Sequence, residues 1–529
     1  MTPPGASLSR SLSLGEMLEA ARVRGLRATL SDPHGLAPAT RVTGVCLDSR
    51  KARPGDLFVA VPGTRVDGSA FVRDALGRGA VAVACDPAHA PALVPAIVTA
   101  DVAAACGHLA AAFHGHPSET LELVGITGTN GKTSCTYLME GVWKAAGRRP
   151  GVIGTIVRRC HAFERASSMT TPSPVELQEL LAEMRDAGSD CVAMEVSSHA
   201  LDQRRVAGCR FRGALFTNLT RDHLDYHVSE DSYFAAKASL FRDWLEPASG
   251  VAVLNADDAR VATLAGELAH DVWMFSTSPD SHARARVIDA DCTLDGIHAT
   301  LDLDGERVRV DSVLVGAANL ANLLAVAALA RGAGIDSAAI EAGLGACAPV
   351  PGRMERMAAG DADRAAPAVF VDYAHTPDAL ERSLKAFAGE QKGRIVVVFG
   401  CGGDRDRGKR PIMGRIAATL ADVAVLTSDN PRSEDPHAIL REIEQGVGAR
   451  MRRRSAAELA ARDAGGYLVE ADRLVAIETA IAIASAGDVV LIAGKGHEDY
   501  QETAGRKRHF DDREVARSAL SRAGAGEPS

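Results

Sequence analysis

Residues 121–133 read Leu121-Glu-Leu-Val-Gly-Ile-Thr127-Gly-Thr-Asn-Gly-Lys-Thr133, a strand-like apolar run flowing straight into a glycine-rich turn and then a helical pattern. Strand, glycine loop, Lys-Thr and helix in that order make a phosphate cradle. Glycines let backbone N–H groups approach phosphate oxygens, and the following helix adds its positive end. In such a loop Lys132 reaches the β- and γ-phosphates and the Thr133 hydroxyl ligates Mg²⁺. The register departs from the usual pattern, which wants glycine where this chain has Ile126, with Gly125 and Gly128 flanking the slot. A bare Gly-Lys-Thr is often only a turn feeding a helix. The strand before it and the helix after it favour the cradle.

Outward from this loop, strand signals alternate with helices. Cys191-Val-Ala-Met194, Gly213-Ala-Leu-Phe-Thr217 and Val251-Ala-Val-Leu254 are spaced for a mostly parallel sheet, while alternating runs over 282–313 suit antiparallel strands. Met194-Glu-Val-Ser-Ser-His199 and Asn218-Leu-Thr-Arg-Asp-His-Leu-Asp-Tyr-His227 each follow a strand. Glu195, at a strand end near the loop, suits a hard cation, and His223 is a softer, less usual magnesium partner. Either alone is as readily a helix cap or a loop-backbone partner. Lys237 lies in a helical stretch where a lysine is normally just solvated, so side-chain physics does not select it.

Beyond Pro349-Val-Pro-Gly352 four more strands recur: Val369–Val371, Ile395–Phe399, Val423–Leu426 and Val489–Ile492. Each is followed by a polar or glycine-rich cluster: Asp372-Tyr-Ala-His-Thr-Pro-Asp378, Gly400 to Arg410, Ser428-Asp-Asn-Pro-Arg432 and Ala493-Gly-Lys-Gly-His-Glu498. Ligands of open parallel sheets bind outside the carboxyl ends of the strands, so four such clusters should line one crevice. Arg405 and Arg432 with Asp429 and Glu498 resemble a site for a zwitterion. Guanidinium forks clamp carboxylates and acidic side chains hold an ammonium. Singly, such residues are usually solvated surface; their shared placement is the signal.

The resulting fold class is α/β in three domains. A smaller N-terminal α/β domain spans 14–117, a central P-loop-type domain with a mostly parallel sheet 118–350, and a C-terminal Rossmann-like domain 351–520. Residues 1–13 and 521–529 are expected to be disordered tails, and His114–Glu119 a linker. A chain of 529 residues is long enough for this division. Its net charge of −9 and lack of a dense basic block disfavour a polynucleotide or anionic membrane as partner. The ten cysteines show no CxxC pair or zinc spacing, as expected of reduced thiols in the cytoplasm. Cys401 reads as a buried filler. No signal peptide and no membrane span is evident; Ala317 to Ala330 is short and carries Asn319 and Asn322.

Together these segments resemble the Mur ligase family of bacterial cell-wall synthesis, from Leu47-Asp-Ser-Arg50 and Gly55-Asp-Leu-Phe-Val-Ala60 to Gly494-Lys-Gly-His-Glu498. Gly-Thr-Asn-Gly-Lys-Thr is that family's own phosphate loop. The resemblance implies an ATP- and Mg²⁺-dependent amide ligase, a monomer acting on small molecules. Leu47, Ser49, Thr64, Arg65 and Val66 would then contact the UDP end of a nucleotide-linked muramoyl-dipeptide. Thr170, Thr171, Ser197, Gln203 and Arg205 would hold its peptide. Gly128, Thr129, Asn130, Gly131, Lys132, Thr133 and Ser134 would bind ATP phosphates, with Asn319, Arg353 and Asp372 around base and ribose.

By the same resemblance Thr133, Glu195 and His223 match magnesium-arranging positions, and Lys237 matches a lysine that becomes carbamylated and supports a second ion. Lys132, Glu195, His223 and Lys237 would be the catalytic set. Asp429-Asn430-Pro431-Arg432 has the form found in diaminopimelate-adding members, with Arg405, Gly494 and Glu498 completing the pocket. Met169 stands before Thr170 where many relatives have asparagine. A lysine-adding ligase or a folylpolyglutamate synthase would share the fold, and a P-loop switch is the alternative from another class. The Asp-Asn-Pro-Arg segment and the uridine-type N-terminal domain argue against the first two.

Overall fold

The computed structural model describes residues 10–524 apart from 33, 64–65, 358–365, 388–392 and 449. Among them the largest sheet has eleven strands, in the order Phe163–Ala166, Val157–Cys160, Pro150–Ile153, Cys191–Glu195, Glu122–Thr127, Gly213–Phe216, Val251–Asn255, Asp271–Ser276, Ala285–Cys292, Ile297–Leu303 and Glu306–Ser312. Its middle is parallel. The antiparallel runs expected over 282–313 do not form a separate unit but extend this sheet, pairing Ala285–Cys292 with Ile297–Leu303 and then Glu306–Ser312.

The strand entering the phosphate loop lies between Cys191–Glu195 and Gly213–Phe216. Register sets Glu195 beside Ile126 and Phe216 beside Thr127, so the three following loops emerge at one edge. The chain reverses its winding direction here, which opens the crevice where doubly wound sheets take ligands. Valine, isoleucine and leucine fill these strands because both faces are covered. The helix Ala317–Gly332 buries its length against the sheet with Leu323, Val326 and Leu329 fully enclosed. Ala317 to Ala330 is therefore core, and among the described residues no helix is long and apolar enough to cross a membrane.

The C-terminal sheet has the order Glu355–Met357, Ala368–Asp372, Val489–Ala493, Ile395–Phe399, Val423–Leu426 and Gly466–Val469, parallel except for its first strand. The four expected strands are its centre. Asp372 pairs with Ala493 and Phe399 with Leu426, so the polar clusters after them share one rim. The N-terminal sheet runs Thr29–Ser31, Ala96–Val98, Ala82–Cys85, Asp56–Val59, Gly44–Cys46.

Three expectations need correcting. Leu12–Ser13, read as tail, pairs with Arg41–Val42, and Ser13 caps the first helix. The last helix, Asp512–Gly524, runs past 520. The expected linker is partly helix: Val102–His114 ends on left-handed Gly115, and His116 behind it is buried.

Candidate active site

The phosphate loop is shaped by two glycines. Gly128 has φ +138°, and a Cβ there would lie 1.9 Å from Thr217 Oγ1; Gly131 has φ +89°, and a Cβ would lie 2.4 Å from Asn322 Oδ1. Both backbone conformation and space exclude a side chain. The neighbouring strand-end loop pins the turn, with Thr129 N donating to Asn218 O at 2.9 Å and Asn130 N to Asn218 Oδ1 at 3.0 Å. Gly131 caps the helix Lys132–Ala145, whose first turn places Thr133 and Ser134 at the loop.

Two lysines converge on one carbonyl. Lys132 Nζ donates to Gly128 O and Thr129 O, each at 2.9 Å, and Lys237 Nζ donates to Gly128 O at 2.7 Å. Lys237 is 1 % exposed, and its pKa falls well below the usual lysine range, through burial first and the charge of Lys132 second. Burial also lowers Lys132, against the pull of Glu195 and Asp222. A lysine easily deprotonated is a nucleophile.

Around Glu195 the structure assembles a connected network. Thr155 donates to its carboxylate through N at 2.7 Å and Oγ1 at 3.0 Å, and Thr155 Oγ1 meets Thr170 Oγ1 at 3.1 Å. Thr171 Oγ1 donates to the Glu195 carbonyl at 2.9 Å and accepts from Ser197 N at 3.1 Å. Arg205 donates to Thr171 O at 3.0 Å and Gln203 Oε1 at 2.7 Å, and reaches Met169 Sδ at 3.7 Å. Thr170, Thr171, Ser197, Gln203 and Arg205 are thus one cluster. Met169 meets the arginine through its sulfur.

His223 sits in left-handed backbone, φ 52°, with its ring 4.8 Å from that of His199. Desolvation pushes its pKa down to about 4, leaving a neutral imidazole able to ligate. Among the described residues no three His, Cys, Asp or Glu side chains form a metal cage. The Thr133 hydroxyl, the neutral His223 imidazole and the Glu195 carboxylate are donors of the kind Mg²⁺ takes beside phosphate oxygens and water; here Thr155 holds both Glu195 oxygens and Arg353 the Thr133 hydroxyl.

Beside the loop opens a cleft whose lining includes Asn130, Ser134, Asn319, Arg353 and Asp372. Arg353 donates to Thr133 Oγ1 at 3.3 Å and stacks 4.4 Å above the Tyr373 ring. Asp372 accepts from Ser383 Oγ at 2.6 Å and Met354 N at 3.0 Å. Asn319 is braced by Val315 O and Asn322. Asn130 Nδ2 donates to Asp378 Oδ2 at 3.2 Å, so the two larger domains meet at the loop itself.

On the C-terminal rim, Asn430 Nδ2 donates to Glu498 Oε2 at 2.8 Å, and a Cβ on Gly494 would lie 2.6 Å from Asp429 Oδ2. Arg432, in left-handed backbone at φ 53°, follows Pro431 and donates to Gly403 O at 2.8 Å. A Cβ on Gly402 would meet both Arg432 and Arg405, so the two arginines flank one glycine. The acceptor residues expected from sequence are together.

Three family models cover most of the chain: the Mur ligase family catalytic domain over 41–114, the Mur ligase middle domain over 126–330, and the Mur ligase glutamate ligase domain over 352–496. The UDP-N-acetylmuramoyl-L-alanyl-D-glutamate–2,6-diaminopimelate ligase of Gloeobacter violaceus is 48% identical over 92% of this chain and 95% of its own. The chain belongs to the Mur ligase family.

The enzyme of the same name from Parasynechococcus marenigrum is 45% identical over 94% of this chain and 99% of its own. Among solved structures, a UDP-N-acetylmuramoyl-L-alanyl-D-glutamate–2,6-diaminopimelate ligase superposes with a TM-score of 0.69 at 32% identity, covering 98% of this chain and all of that one. The Thermotoga maritima MurF ligase, solved with ADP, gives 0.60 at 17% identity over 91% and 98%, a likeness of fold.

In this Mur ligase Leu47, Ser49 and Val66 stand apart in the N-terminal domain. Ser49 is buried and hydrogen-bonds Asp74, Leu47 packs on the local core, and Val66 is exposed. Thr64 and Arg65 lie outside the described residues.

Sequence reading missed the supports of this C-terminal rim. Arg473 and Asp512, both fully buried, pair at 2.7 Å, and Arg473 also donates to Ser428 O at 3.2 Å and Ala493 O at 3.0 Å. Arg410, also fully buried, pairs with Glu434 and Glu442 at 2.8 Å each. A short hairpin, Tyr500–Thr503 with Arg506–His509, clips the rim from outside: Gln501 Nε2 donates to Asp429 O and Glu502 N to Asn430 Oδ1, each at 2.9 Å. No local motif marks these residues.

Proposed function

We propose that this chain joins meso-diaminopimelate to the D-glutamate γ-carboxylate of UDP-N-acetylmuramoyl-L-alanyl-D-glutamate, with ATP converted to ADP and phosphate. The observation that carries the reading is that a phosphate loop touches the domain bearing a rim of charged side chains, whose strand end at Asp372 lines the loop's cleft and pairs with Ala493 ahead of Glu498. A phosphate loop hydrogen-bonds the C-terminal domain through Asn130 and Asp378, and that domain's adjoining rim gathers Asp429, Arg432 and Glu498. The 48% identical relative is named for this reaction.

The γ-carboxylate attacks the terminal phosphorus of ATP, giving an acyl phosphate and ADP. An acceptor amine then attacks the acyl carbon, and the tetrahedral adduct expels phosphate to leave an amide. Two anions must approach, so catalysis is mostly charge neutralisation and positioning. Lys132, now bound to loop carbonyls, turns onto the phosphates; Gly128 to Ser134 cradle them, and Asn319, Arg353 and Asp372 face base and ribose. Mg²⁺, when bound, neutralises phosphate charge, and Thr133 and His223 would hold it with Glu195 behind them. Lys237 is the group for carbamylation, since a buried, easily deprotonated amine can add CO₂ and become an anion near the loop. Thr170, Thr171, Ser197, Gln203 and Arg205 position the dipeptide, and Leu47, Ser49, Thr64, Arg65 and Val66 the uridine end.

Arg405 and Arg432 clamp the far carboxylate of diaminopimelate while Asp429, Asn430 and Glu498 hold its ammonium beside Gly494. Lysine has hydrogen in place of that carboxylate and leaves the fork unpartnered. The test is ADP release with the UDP-linked dipeptide and either meso-diaminopimelate or L-lysine. Sustained release should need dipeptide and diaminopimelate together. Release without either, as from a nucleotide switch, or equal use of lysine, contradicts the reading.

A further inference from the structure

Beside Tyr373, which lines the cleft, the C-terminal domain carries a histidine to which the mechanism above gives no role. His375 follows the strand Ala368–Asp372, and its Nδ1 lies 2.8 Å from Tyr373 O. A carbonyl can only accept, so Nδ1 carries the ring proton and Nε2 presents a lone pair. Lys409 Nζ donates to the His375 carbonyl at 2.8 Å, and the Tyr373 ring packs 4.6 Å from the imidazole. The segment that carries it is tied at both ends: Asp372 and Tyr373 line the cleft, and Asp378 accepts from Asn130 of the phosphate loop, while the Tyr373 ring also packs 5.1 Å from His497 next to Glu498. The segment bearing the imidazole therefore touches both the phosphate loop and the C-terminal rim.

Burial, then Lys409, lower its pKa against the Tyr373 carbonyl, Asp222 and Asp429, and keep it neutral. Tyr373, pushed up to about 12 by burial, also stays neutral beside it. A diamino acid arrives with both amines protonated. Asp429 and Glu498 hold one, while the other has no lone pair for attack until it loses a proton.

We propose that His375 Nε2 is the base that deprotonates the attacking amine of the acceptor. The inference rests on the ligase reading above. One N–H bond breaks and its proton moves to Nε2; the freed nitrogen pair forms the C–N bond, and the carbonyl π pair moves to oxygen. Collapse re-forms the carbonyl and breaks the C–O bond to phosphate, which leaves with that electron pair. The second nitrogen proton ends on phosphate, and the imidazolium returns its proton to solvent.

His375→Asn keeps a donor for the Tyr373 carbonyl but has no base. Diaminopimelate-dependent turnover should fall about 100-fold or more, in keeping with a positioned base. The acid-side fall of kcat, centred below the ordinary histidine range in the native enzyme, should disappear. Hydroxylamine, already neutral at neutral pH, should trap the acyl phosphate as hydroxamate in the variant within about threefold of the native rate, because it needs no base. Equal loss of hydroxamate and amide formation would assign His375 a structural role and overturn the proposal. Turnover within about threefold of native, or a surviving acid limb, would also overturn it. If the native enzyme itself forms no hydroxamate from ATP and the UDP-linked dipeptide, the ligase reading fails first and His375 falls with it.

Discussion

The phosphate loop and the C-terminal rim are built by opposite means. The phosphate side is mostly main chain: two glycines in backbone that a side chain would strain, a helix start, and lysines that lean on carbonyls. The acceptor side is mostly side chain: Asp429, Asn430, Arg432 and Glu498 on loops braced from behind by Arg473–Asp512 and Arg410–Glu434–Glu442. A triphosphate offers many equivalent oxygens, which backbone N–H groups can match without exact side chains. One particular diamino diacid has few groups, widely spaced, and needs forks and carboxylates fixed in place. The first site therefore reads as a contiguous motif, and the second as four fragments whose scaffold is invisible in sequence.

The comparison breaks most sharply on the phosphate side at Lys132, which donates to the carbonyls of Gly128 and Thr129. Lys132→Ala should lower ADP release on the order of 10⁴-fold, the size of effect that a single cation has on a transferring phosphoryl group. Unfolding should barely change, since Lys132 caps a loop. A coupled ADP assay and a urea melt on the same preparation check both halves.

On the acceptor side the largest effect should come from a residue that touches no substrate. Arg473→Met strands a buried carboxylate and unties the Ser428 and Ala493 carbonyls. Breaking such a pair costs about 3–5 kcal/mol, visible as a lower unfolding midpoint. Adding Asp512→Leu should restore most of the stability but leave a raised KM for diaminopimelate, with KM for ATP near native. If ATP suffers equally, the bracing is not confined to the acceptor rim.

Arg432→Ala should spare stability and cut the preference for diaminopimelate over lysine about 10- to 100-fold, the loss of charge-assisted bonds worth roughly 1.5–3 kcal/mol. Paired kcat/KM values for the two amino acids read this directly. An unchanged ratio would put selectivity elsewhere on the rim.

What sequence could reach follows from where the signal is stored. Gly128 to Thr133 is local, because strand, turn and helix start are consecutive. Asn319, Arg353 and Asp372 come from three distant segments yet line one cleft with the loop. Only the family resemblance implies their place there, since nothing in their neighbours points to a nucleotide. Glu195 was legible as a strand-end carboxylate, but its grip on Thr155 was not, because that contact crosses from a strand end to the hairpin region. Arg473 and Arg410 escaped for a different reason. Charged side chains default to solvated surface, and only the fold reveals that these are sealed beneath the rim. The tail boundaries failed because two-residue pairing at Leu12–Ser13 carries no pattern long enough to see.

The smallest effect expected is a pH dependence of the brace. Glu434 takes two bonds from Arg410 and one from Asp404 N at 2.6 Å, and Arg410 first, then Asp404, pull its pKa from 4.5 down to about 2. A carboxyl depressed in the folded state adds stability that is complete above its unfolded value and fades as pH falls through its folded one. The contribution should hold above pH 4.5 and drain away between there and about 2. In Glu434→Gln the unfolding midpoint should therefore lie below native at neutral pH, and the two curves should approach each other as acid is added. Because Asp404 precedes Arg405, the same variant should loosen diaminopimelate binding slightly while leaving ATP binding alone. Parallel curves down to acid pH would mean that Arg410 relies on Glu442, and that the loop bearing Arg405 is held by its glycines instead.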